Sequence, residues 1–477
     1  MARLSAAAAR IAIVCACLTA TLAIASAQHD SSRFDRVVEL ARQELTDTQT
    51  PGAAIALVQG NRTVFTTGVG VADVEGGASI DPAMLFRLGS TTKMFTAAAL
   101  VTLAESGKLS LDAPIGSIVS GLDPTIARLT PNQLLSHTAG LRDEAPMFGR
   151  QDDAALGDGI RVMNAAAFFT EPGAIYSYSN PGFWIAGYVV ERAAGKPYAD
   201  AMQEQLFAPL GMSRSTFRPM MAITYPLAQG HETAGGQPPA VIRPAANNTA
   251  TWPAGSLFSN VQDLSRFVIA FMNQGQLDGR QVLAPSVIAK LSTPHSAIPG
   301  GQASYGYGLE LSQPNGIRLV SHGGSRAGYG STIVMAPERR AAAIVLGNRT
   351  GSGLPRTARR ALEILLDVAP GTLDASSPSP RDTAAMTSRE DLRAWVGRYS
   401  QGTGTPIEIA LHDGRLVIRE ANREQPATPL GNLKLAVAAS PPGSTTATWI
   451  LIPDAAGRPA YVFRGGRAFK RVTSPSS

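Results

Sequence analysis

The sequence predicts an α+β fold: an antiparallel sheet flanked by helices with a large helical insertion, followed by a small all-β barrel-like domain. Three observations lead to this prediction. Apolar, β-branched runs occur near the start of the chain and again around residues 306–346, and about 200 residues between them have mostly helical patterns. After residue 388 the apolar residues alternate with period two. Because hairpins rather than crossovers join neighbouring strands, the sheet is expected to be antiparallel.

Length and composition exclude several classes of protein. The chain has 477 residues, and at about 150 residues per domain that length indicates two or three domains. A hydrophobic content of 44% with 16% charged residues is enough for a large buried core, which excludes a disordered chain. The net charge is only +6, aromatic residues make up 6%, and no long basic tract occurs, so no nucleic-acid partner is expected.

Residues 1–27 have the pattern of a signal peptide. Arg3 and Arg10 precede an apolar run over residues 11–24, and Ala25-Ser26-Ala27 supplies the small residues that signal peptidase accepts. The alternative is a retained membrane anchor, but a span needs about 20 strongly apolar residues, and this run is shorter and rich in Ala and Thr. We therefore predict cleavage and export to the periplasm or the extracellular space, with no membrane span afterwards; only a retained leader would anchor the chain.

Both cysteines, Cys15 and Cys17, lie in this leader. The mature chain then has no thiol, which excludes a disulfide, a cysteine nucleophile and a cysteine-ligated metal. The histidines of the main body are not paired at a metal-ligand spacing such as His-x-x-x-His, which argues against a metal hydrolase. They are His137, His231, His295, His322 and His412. We predict no metal and no other cofactor.

Residues 28–368 are predicted to form the first domain. Helices are expected at 32–48 and 354–368, where apolar residues recur near helical spacing. Within the insertion, Ser259 is predicted to be the N-cap of a further helix. The strands, which are apolar and β-branched, are predicted at 53–58, 63–71, 306–311, 318–321, 331–335 and 342–346.

The C-terminal part has a different pattern. Residues 369–387 are rich in Pro, Ser, Thr and Ala and are predicted to be a linker. In residues 388–477, apolar positions such as Ile407 and Ile409 alternate with polar ones and are followed by the turn Asp413-Gly414. These residues are predicted to form a barrel or sandwich that folds separately.

Ser90 and Lys93 are the first candidate catalytic pair. They stand at the start of an apolar helical segment, and three residues span most of one helical turn, so Lys93 is expected beside the Ser90 hydroxyl. The helix N-terminus and apolar neighbours disfavour a charged ammonium, and a lysine of lowered pKa accepts the serine proton. Lys93 is the only lysine with a serine three residues before it. The alternative is a helix cap with a solvated lysine.

Two further elements carry candidate site residues. Tyr178-Ser179-Asn180 is the only Tyr-x-Asn in the chain and precedes a helix, so Tyr178 is placed to relay a proton and Asn180 to bond Lys93 or a substrate amide. His322-Gly323-Gly324-Ser325 follows a predicted strand, where the glycines admit a substrate to the backbone and the Ser325 N–H is placed to bond a carbonyl oxygen. Taken singly, these are also the patterns of a polar turn and of a glycine-rich hairpin.

Together, in this order, the three elements resemble the serine β-lactamase-like superfamily: class C β-lactamases, penicillin-binding proteins, esterases and D-amino-acid peptidases. The flanking segments 134–141, 208–212 and 255–259 are similar as well, and the resemblance covers residues 33–368. It implies that Ser90 is the acylated nucleophile, that Lys93 and Tyr178 are proton-transfer partners, and that Asn180 is a positioning residue. It also implies an oxyanion hole from the N–H groups of Ser90 and Ser325. The segment 392–399 resembles the lipocalin-like domain appended to some members.

One departure from the family pattern concerns substrate class. Where these β-lactamases carry Lys-Thr-Gly, this chain has His322-Gly323-Gly324, and a histidine is neutral for much of the time near pH 7. The histidine therefore disfavours the hydrolysis of penicillin and favours esters, amides or peptides as substrates. We therefore predict an exported serine hydrolase that acts through an acyl-enzyme on an ester, amide or D-amino-acid-containing peptide. His137, in a short helix begun by Thr-Pro, is expected to be structural.

Two alternatives stay open. One is a class C-like β-lactamase or penicillin-binding protein; the other is a non-catalytic binding or scaffold protein of the same fold, against which the presence of Ser90, Lys93 and Tyr178 together argues. The expected partner is a small-molecule or peptide substrate. The oligomeric state is left open.

Overall fold

The computed structural model describes residues 33–374, 389–402, 404–421, 423–431, 433–437 and 447–472. The predicted signal peptide, 1–27, and most of the predicted linker, 369–387, lie outside the described residues. None of the described helices has the length and apolar character to cross a membrane. We call residues 33–374 the N-terminal body and residues 389–472 the barrel.

Most helices of the N-terminal body lie in the insertion between the two groups of sheet strands. They are α1 (33–47), α2 (Thr92–Glu105), α3 (Pro124–Ala127), α4 (Pro131–Leu135), α5 (Ala155–Arg161), α6 (Asn180–Ala194), α7 (Tyr198–Met202), α8 (Ala208–Leu210), α9 (Pro219–Ala222), α10 (Trp252–Gly255), α11 (Val261–Met272), α12 (Pro285–Leu291) and α13 (Pro355–Leu366).

Its strands form one large sheet and three short ribbons. They are β1 (Gly52–Gln59), β2 (Arg62–Gly70), β3 (Phe86–Arg87), β4 (His231–Glu232), β5 (Ala240–Val241), β6 (Phe258–Ser259), β7 (Gln276–Leu277), β8 (Arg280–Gln281), β9 (Ser296–Ala297), β10 (Ser304–Tyr305), β11 (Glu310–Ser312), β12 (Leu319–Arg326), β13 (Tyr329–Ala336) and β14 (Ala341–Gly347).

The large sheet is antiparallel and has eight strands in the order β2-β1-β14-β13-β12-β11-β10-β9. Its central strands are covered on both faces. On β1, Ala54 and Ala56 pack into the core shared with the helical insertion, whereas Ile55 and Leu57 pack into a second core with α1 and α13. Burial on both faces explains why β1 is a continuous apolar run rather than an alternating one.

Residues 389–472 form a closed barrel of eight antiparallel strands, β15 to β22 in chain order, preceded by α14. Inward-facing side chains such as Ile407, Ile409 and Trp449 fill its core. The elements are α14 (Arg389–Trp395), β15 (Gly397–Ser400), β16 (Ile407–His412), β17 (Arg415–Glu420), β18 (Arg423–Gly431), β19 (Lys434–Val437), β20 (Ala447–Pro453), β21 (Pro459–Arg464) and β22 (Arg467–Val472).

The predicted α+β class, the antiparallel sheet with its helical insertion and the C-terminal all-β barrel are confirmed. Two details are wrong. The strand expected at 306–311 is mostly a turn: residues 306–309, with Gly308 in the left-handed conformation, connect β10 to β11, which begins only at residue 310. The N-cap of α11 is Asn260 rather than Ser259: the Asn260 side chain accepts the Asp263 N–H at 2.8 Å, and Ser259 pairs in β6.

Candidate active site

Ser90 lies in a single 3₁₀ turn, Gly89–Thr91, that leads directly into α2. Glycine is required here by close packing. Gly89 has a φ of +59°, and a Cβ at this residue would lie 2.6 Å from the backbone nitrogen of Ser325. A Cβ on Gly324 would lie 1.9 Å from the carbonyl oxygen of Leu88. The two glycines therefore allow β12 to lie directly against the turn that carries Ser90, and bring Ser325 beside it.

The Nζ of Lys93 has three hydrogen-bonding neighbours. It lies 3.2 Å from Ser90 Oγ, 2.7 Å from the side-chain oxygen of Asn180 and 2.8 Å from the carbonyl oxygen of Ala254. The side chain is fully buried, and this burial lowers its pKa well below the usual value, although Asp143 opposes the shift. The Asn180 and Ala254 oxygens only accept hydrogen bonds, so a neutral Lys93 directs its lone pair at the Ser90 hydroxyl.

The ring of Tyr178 lies next to Lys93. Its ring centroid is 4.7 Å from Lys93 Nζ and 4.2 Å from the ring of His137. Burial raises the pKa of Tyr178 above its usual value, while an interaction with the Ser90 hydroxyl opposes the shift. The phenol is therefore neutral near pH 7 and keeps its O–H proton.

Asn180 begins α6, whose N-cap is Ser179. A carboxylate that was not predicted from the sequence holds it in place: Asp143 Oδ1 accepts the Asn180 backbone N–H at 2.8 Å and its side-chain NH₂ at 2.9 Å. With its NH₂ fixed in this way, the amide presents its oxygen to Lys93. Asp143 stands in a stretch without regular structure, and no pattern of spacing distinguishes it from other surface acids.

His137 was expected to be structural and lies in direct contact with the catalytic candidates. Its Nδ1 accepts the backbone N–H of Ser179 at 3.1 Å, and its ring packs on Tyr178. Burial and the nearby Lys93 lower the pKa of His137 well below its usual value, so the ring is neutral. It therefore positions the Tyr178-Ser179-Asn180 segment. The signal that could have identified it is its place in the segment 134–141.

The structure places His322, Gly324 and Ser325 on β12, which runs past the nucleophile turn. The buried His322 ring is neutral, because burial and Lys93 lower its pKa to about 3. Its Nδ1 lies 2.6 Å from the carbonyl oxygen of Gly323 and must be the donor there, so Nε2 accepts the hydroxyl of Tyr305 at 2.9 Å. His322 thus provides no fixed positive charge to the site.

The barrel contributes directly to this site through the turn between β21 and β22. The Tyr178 N–H donates to the carbonyl oxygen of Gly466 at 2.9 Å, and the Ala468 N–H donates to Ser177 Oγ at 3.1 Å. Arg467 bonds Asp143 Oδ2 through Nε at 2.7 Å and also lies over the Tyr178 ring, 5.0 Å from its centroid. The two partners are 324 residues apart, so no local pattern in the sequence predicts this contact.

The candidate residues open onto a cleft of about 1140 Å³ between the two parts of the molecule. Ser90, Tyr178 and the His322–Ser325 segment line this cleft together with other residues of β11 and β12. Its charged lining residues are Glu310, Arg359, Lys434 and Arg467. In the described part of the chain, no group of three or more His, Cys, Asp or Glu residues is placed to hold a metal ion.

The fold and this arrangement are of the β-lactamase type, and comparison with known proteins agrees. The family model described as Beta-lactamase matches residues 37–367, so the chain belongs to the beta-lactamase family. It is 27% identical over 333 residues to the unguisins hydrolase ungD' of Aspergillus campestris, covering 66% of this chain and 61% of that protein. It is 28% identical over 315 residues to a D-aminopeptidase of Gluconobacter oxydans, covering 62% and 56%. The chain thus spans about three-fifths of these relatives.

A solved structure, that of SurE, is similar over both parts of the molecule. It superposes with a TM-score of 0.74 at 22% identity and covers 93% of this chain and 100% of the other. At this identity the similarity shows the fold alone. It includes the barrel, because the share of this chain that is covered exceeds the N-terminal body.

Proposed function

We propose that this protein is a serine hydrolase that forms an acyl-enzyme at Ser90 and acts on an ester, an amide or a D-amino-acid-containing peptide. The contact between Lys93 Nζ and Ser90 Oγ, in a buried setting that disfavours the ammonium form, carries the proposal. A scaffold protein needs no such pair. Burying a lysine costs stability, and buried ionisable groups with shifted pKa values are typical of functional sites.

Acylation begins when Ser90 Oγ attacks the carbonyl carbon and its proton moves to Nζ of Lys93. The new C–O bond converts the carbonyl into a tetrahedral oxyanion, which the N–H groups of Ser90 and Ser325 stabilise. The proton then passes through the Tyr178 hydroxyl to the leaving amine or alcohol. The bond from that group to the carbonyl carbon breaks, and Ser90 remains acylated.

Deacylation uses the same groups. Water attacks the acyl carbon and gives its proton to Lys93, the second tetrahedral intermediate expels Ser90 Oγ, and that oxygen regains a proton. The product is the free acid, and the enzyme returns to its starting protonation state.

The substrate class rests on His322 and on the cleft. A β-lactam carries a carboxylate that is best held by a fixed cation, and the neutral His322 provides none. The cleft is large enough for a peptide and carries both a carboxylate, Glu310, and arginines. The relatives support the same class, since one is named a D-aminopeptidase and another an unguisins hydrolase. We further propose that the mature enzyme works outside the cytoplasm, as the leader pattern implies.

Labelling with a fluorophosphonate tests the proposal. The full chain is expected to take up one label, located at Ser90 by peptide mass mapping, and Ser90→Ala is expected to abolish it. Ser110→Ala, a substitution at an exposed serine, is the matched control and should label normally. Labelling that persists in Ser90→Ala would identify another nucleophile, and absence of labelling and ester hydrolysis in the wild type would favour the scaffold alternative.

A further inference from the structure

Two arginines with buried guanidinium nitrogen atoms lie next to the segments that carry the catalytic candidates. Arg87 is on β3, three residues before Ser90, and is 3% exposed. Arg326 ends β12, directly after Ser325. The two charges are close enough that Arg87 lowers the pKa of Arg326, although burial is the larger cause. Burial also lowers the pKa of Arg87, to about 10.

Each guanidinium forms a hydrogen bond through only one of its three nitrogen atoms, Nη1. Nη1 of Arg87 donates to the carbonyl oxygen of Ala246, and Nη1 of Arg326 donates to that of Gly255 at 3.3 Å. Nε and Nη2 of both residues are buried and have no hydrogen-bond partner among the described residues. In a guanidinium, the Nε–H and one Nη2–H are parallel and form the edge that binds two oxygens of a carboxylate or phosphate. The same complete edge is thus unpaired in both arginines.

The surroundings do not neutralise these charges. Within the described part of the chain, the hydrogen bonds of the two arginines go to backbone carbonyl oxygens and none goes to an acidic side chain, and a guanidinium stays protonated in proteins. Arg87 lies over the ring of Phe258, 4.9 Å from its centroid, which offsets only part of the cost of burial. Ser256 Oγ, next to Gly255, is another buried donor without a described partner. Two neighbouring positive charges with buried, unpaired N–H donors would be stabilised by a bound anion.

We propose that Arg87 and Arg326 form a binding site for a small oxyanion, a carboxylate or phosphate-type group held by the two unpaired guanidinium edges. The site is separate from the cleft, which neither residue lines. A bound oxyanion would connect β3 to the end of β12. Because Ser90 follows β3 and Ser325 is on β12, it would stabilise the spacing between the nucleophile and the oxyanion donor.

Thermal unfolding of the full chain with increasing inorganic phosphate tests this site, with chloride keeping the ionic strength constant and acetate as a parallel arm. The Tm of the wild type is expected to rise saturably with phosphate, because a ligand that binds only the folded state stabilises it. Arg87→Met and Arg326→Met are expected to weaken the apparent Kd at least tenfold. Arg243→Met is the matched control: it removes an exposed arginine paired with Glu75 and should retain the wild-type Kd.

The outcomes separate the sources of the oxyanion. A rise with acetate equal to that with phosphate indicates a carboxylate site, and a rise with phosphate alone indicates a tetrahedral oxyanion. No saturable rise beyond that of chloride with either probe, or an unchanged Kd in both methionine variants, would overturn the proposal, since hydration alone then satisfies the two edges.

A second measurement does not depend on the variants. Wild-type crystals soaked in selenate are expected to show an anomalous selenium peak between the two guanidinium groups. A map without a peak at that position contradicts the proposal even if the variants fail to fold. Because neither readout involves turnover, this result is independent of whether Ser90 is the nucleophile.

Discussion

Arg467 of the barrel forms an ion pair with Asp143 of the N-terminal body, with Nη2 2.6 Å from Oδ2. Asp143 holds Asn180, and Asn180 accepts a hydrogen bond from Lys93. The barrel is therefore connected to the candidate general base through two intervening side chains. Arg467 also lowers the pKa of Lys93, so this ion pair affects both the position and the protonation of the lysine.

Removing this charge should change the pH dependence of the enzyme. In Arg467→Gln, the positive charge that disfavours the Lys93 ammonium is absent and Asp143 is unpaired, so the pKa of Lys93 rises. Because the base must be neutral, the acidic limb of the kcat/KM profile is expected to move to higher pH. Arg458→Gln is the control, because it changes an exposed arginine that pairs with Asp454 on the surface of the barrel. Coincident profiles for the wild type and Arg467→Gln would show that the pair has no influence on Lys93.

The two proton-transfer residues, Lys93 and Tyr178, should both contribute strongly to the reaction rate. General-base assistance is worth roughly 10²–10⁴-fold, and Lys93→Met, which keeps much of the side-chain volume, is expected to slow acylation by about that factor. Tyr178→Phe retains the ring contacts with His137 and removes only the hydroxyl, so it should lower kcat with an intact fold. Single-turnover kinetics with a p-nitrophenyl ester measures both effects. Near-normal kcat/KM in both folded variants would rule out the proton relay.

Deleting the barrel should leave the N-terminal body folded but lower its activity. The cores of the two parts are largely separate, so a chain that ends at Asp374 is expected to be soluble. Residues beyond α13 must be kept, because the buried Glu363 carboxylate accepts the N–H groups of Gly371 and Leu373 at 3.1 and 2.8 Å.

This shortened chain loses Arg467 and the Gly466 carbonyl that holds Tyr178. We expect labelling at Ser90 to persist and kcat/KM for a p-nitrophenyl ester to fall at least tenfold, about 1.4 kcal/mol in the barrier. Precipitation of the shortened chain would show that the small cluster of Tyr176, Tyr305, Phe463 and Ala468 joins the two parts into one core.

Substrate preference should follow the charge at residue 322. The wild type is expected to hydrolyse short-chain p-nitrophenyl esters with a higher kcat/KM than a chromogenic cephalosporin. A charge-assisted bond to a carboxylate contributes roughly 1.5–3 kcal/mol, so His322→Lys is expected to raise the relative rate on the cephalosporin about tenfold or more. His412→Lys, on the exposed surface of the barrel, is the control. A cephalosporin preference in the wild type would instead support the β-lactamase alternative.

The local patterns of the sequence predicted much of the fold and part of the candidate site. Helical and period-two spacing identified the two groups of sheet strands, the insertion and the barrel, because each pattern reflects which faces of an element are buried. The spacing of Ser90 and Lys93 follows from one turn of helix, so their proximity was predictable from the sequence. Tyr178, Asn180 and Ser325 were candidates from their local motifs, and the family resemblance then joined them to Ser90 and Lys93 in one site.

Only the tertiary structure showed that Asp143, His137 and Arg467 contact the candidate site residues. Asp143 and Arg467 are 324 residues apart, and no local spacing encodes which acid meets which arginine. The protonation state of His322 also depends on the fold, since burial and the nearby Lys93 lower its pKa and make it neutral. Sequence periodicity determines which side chains point into a core, whereas the pairing of distant charges and the pKa of buried groups depend on how the elements pack together.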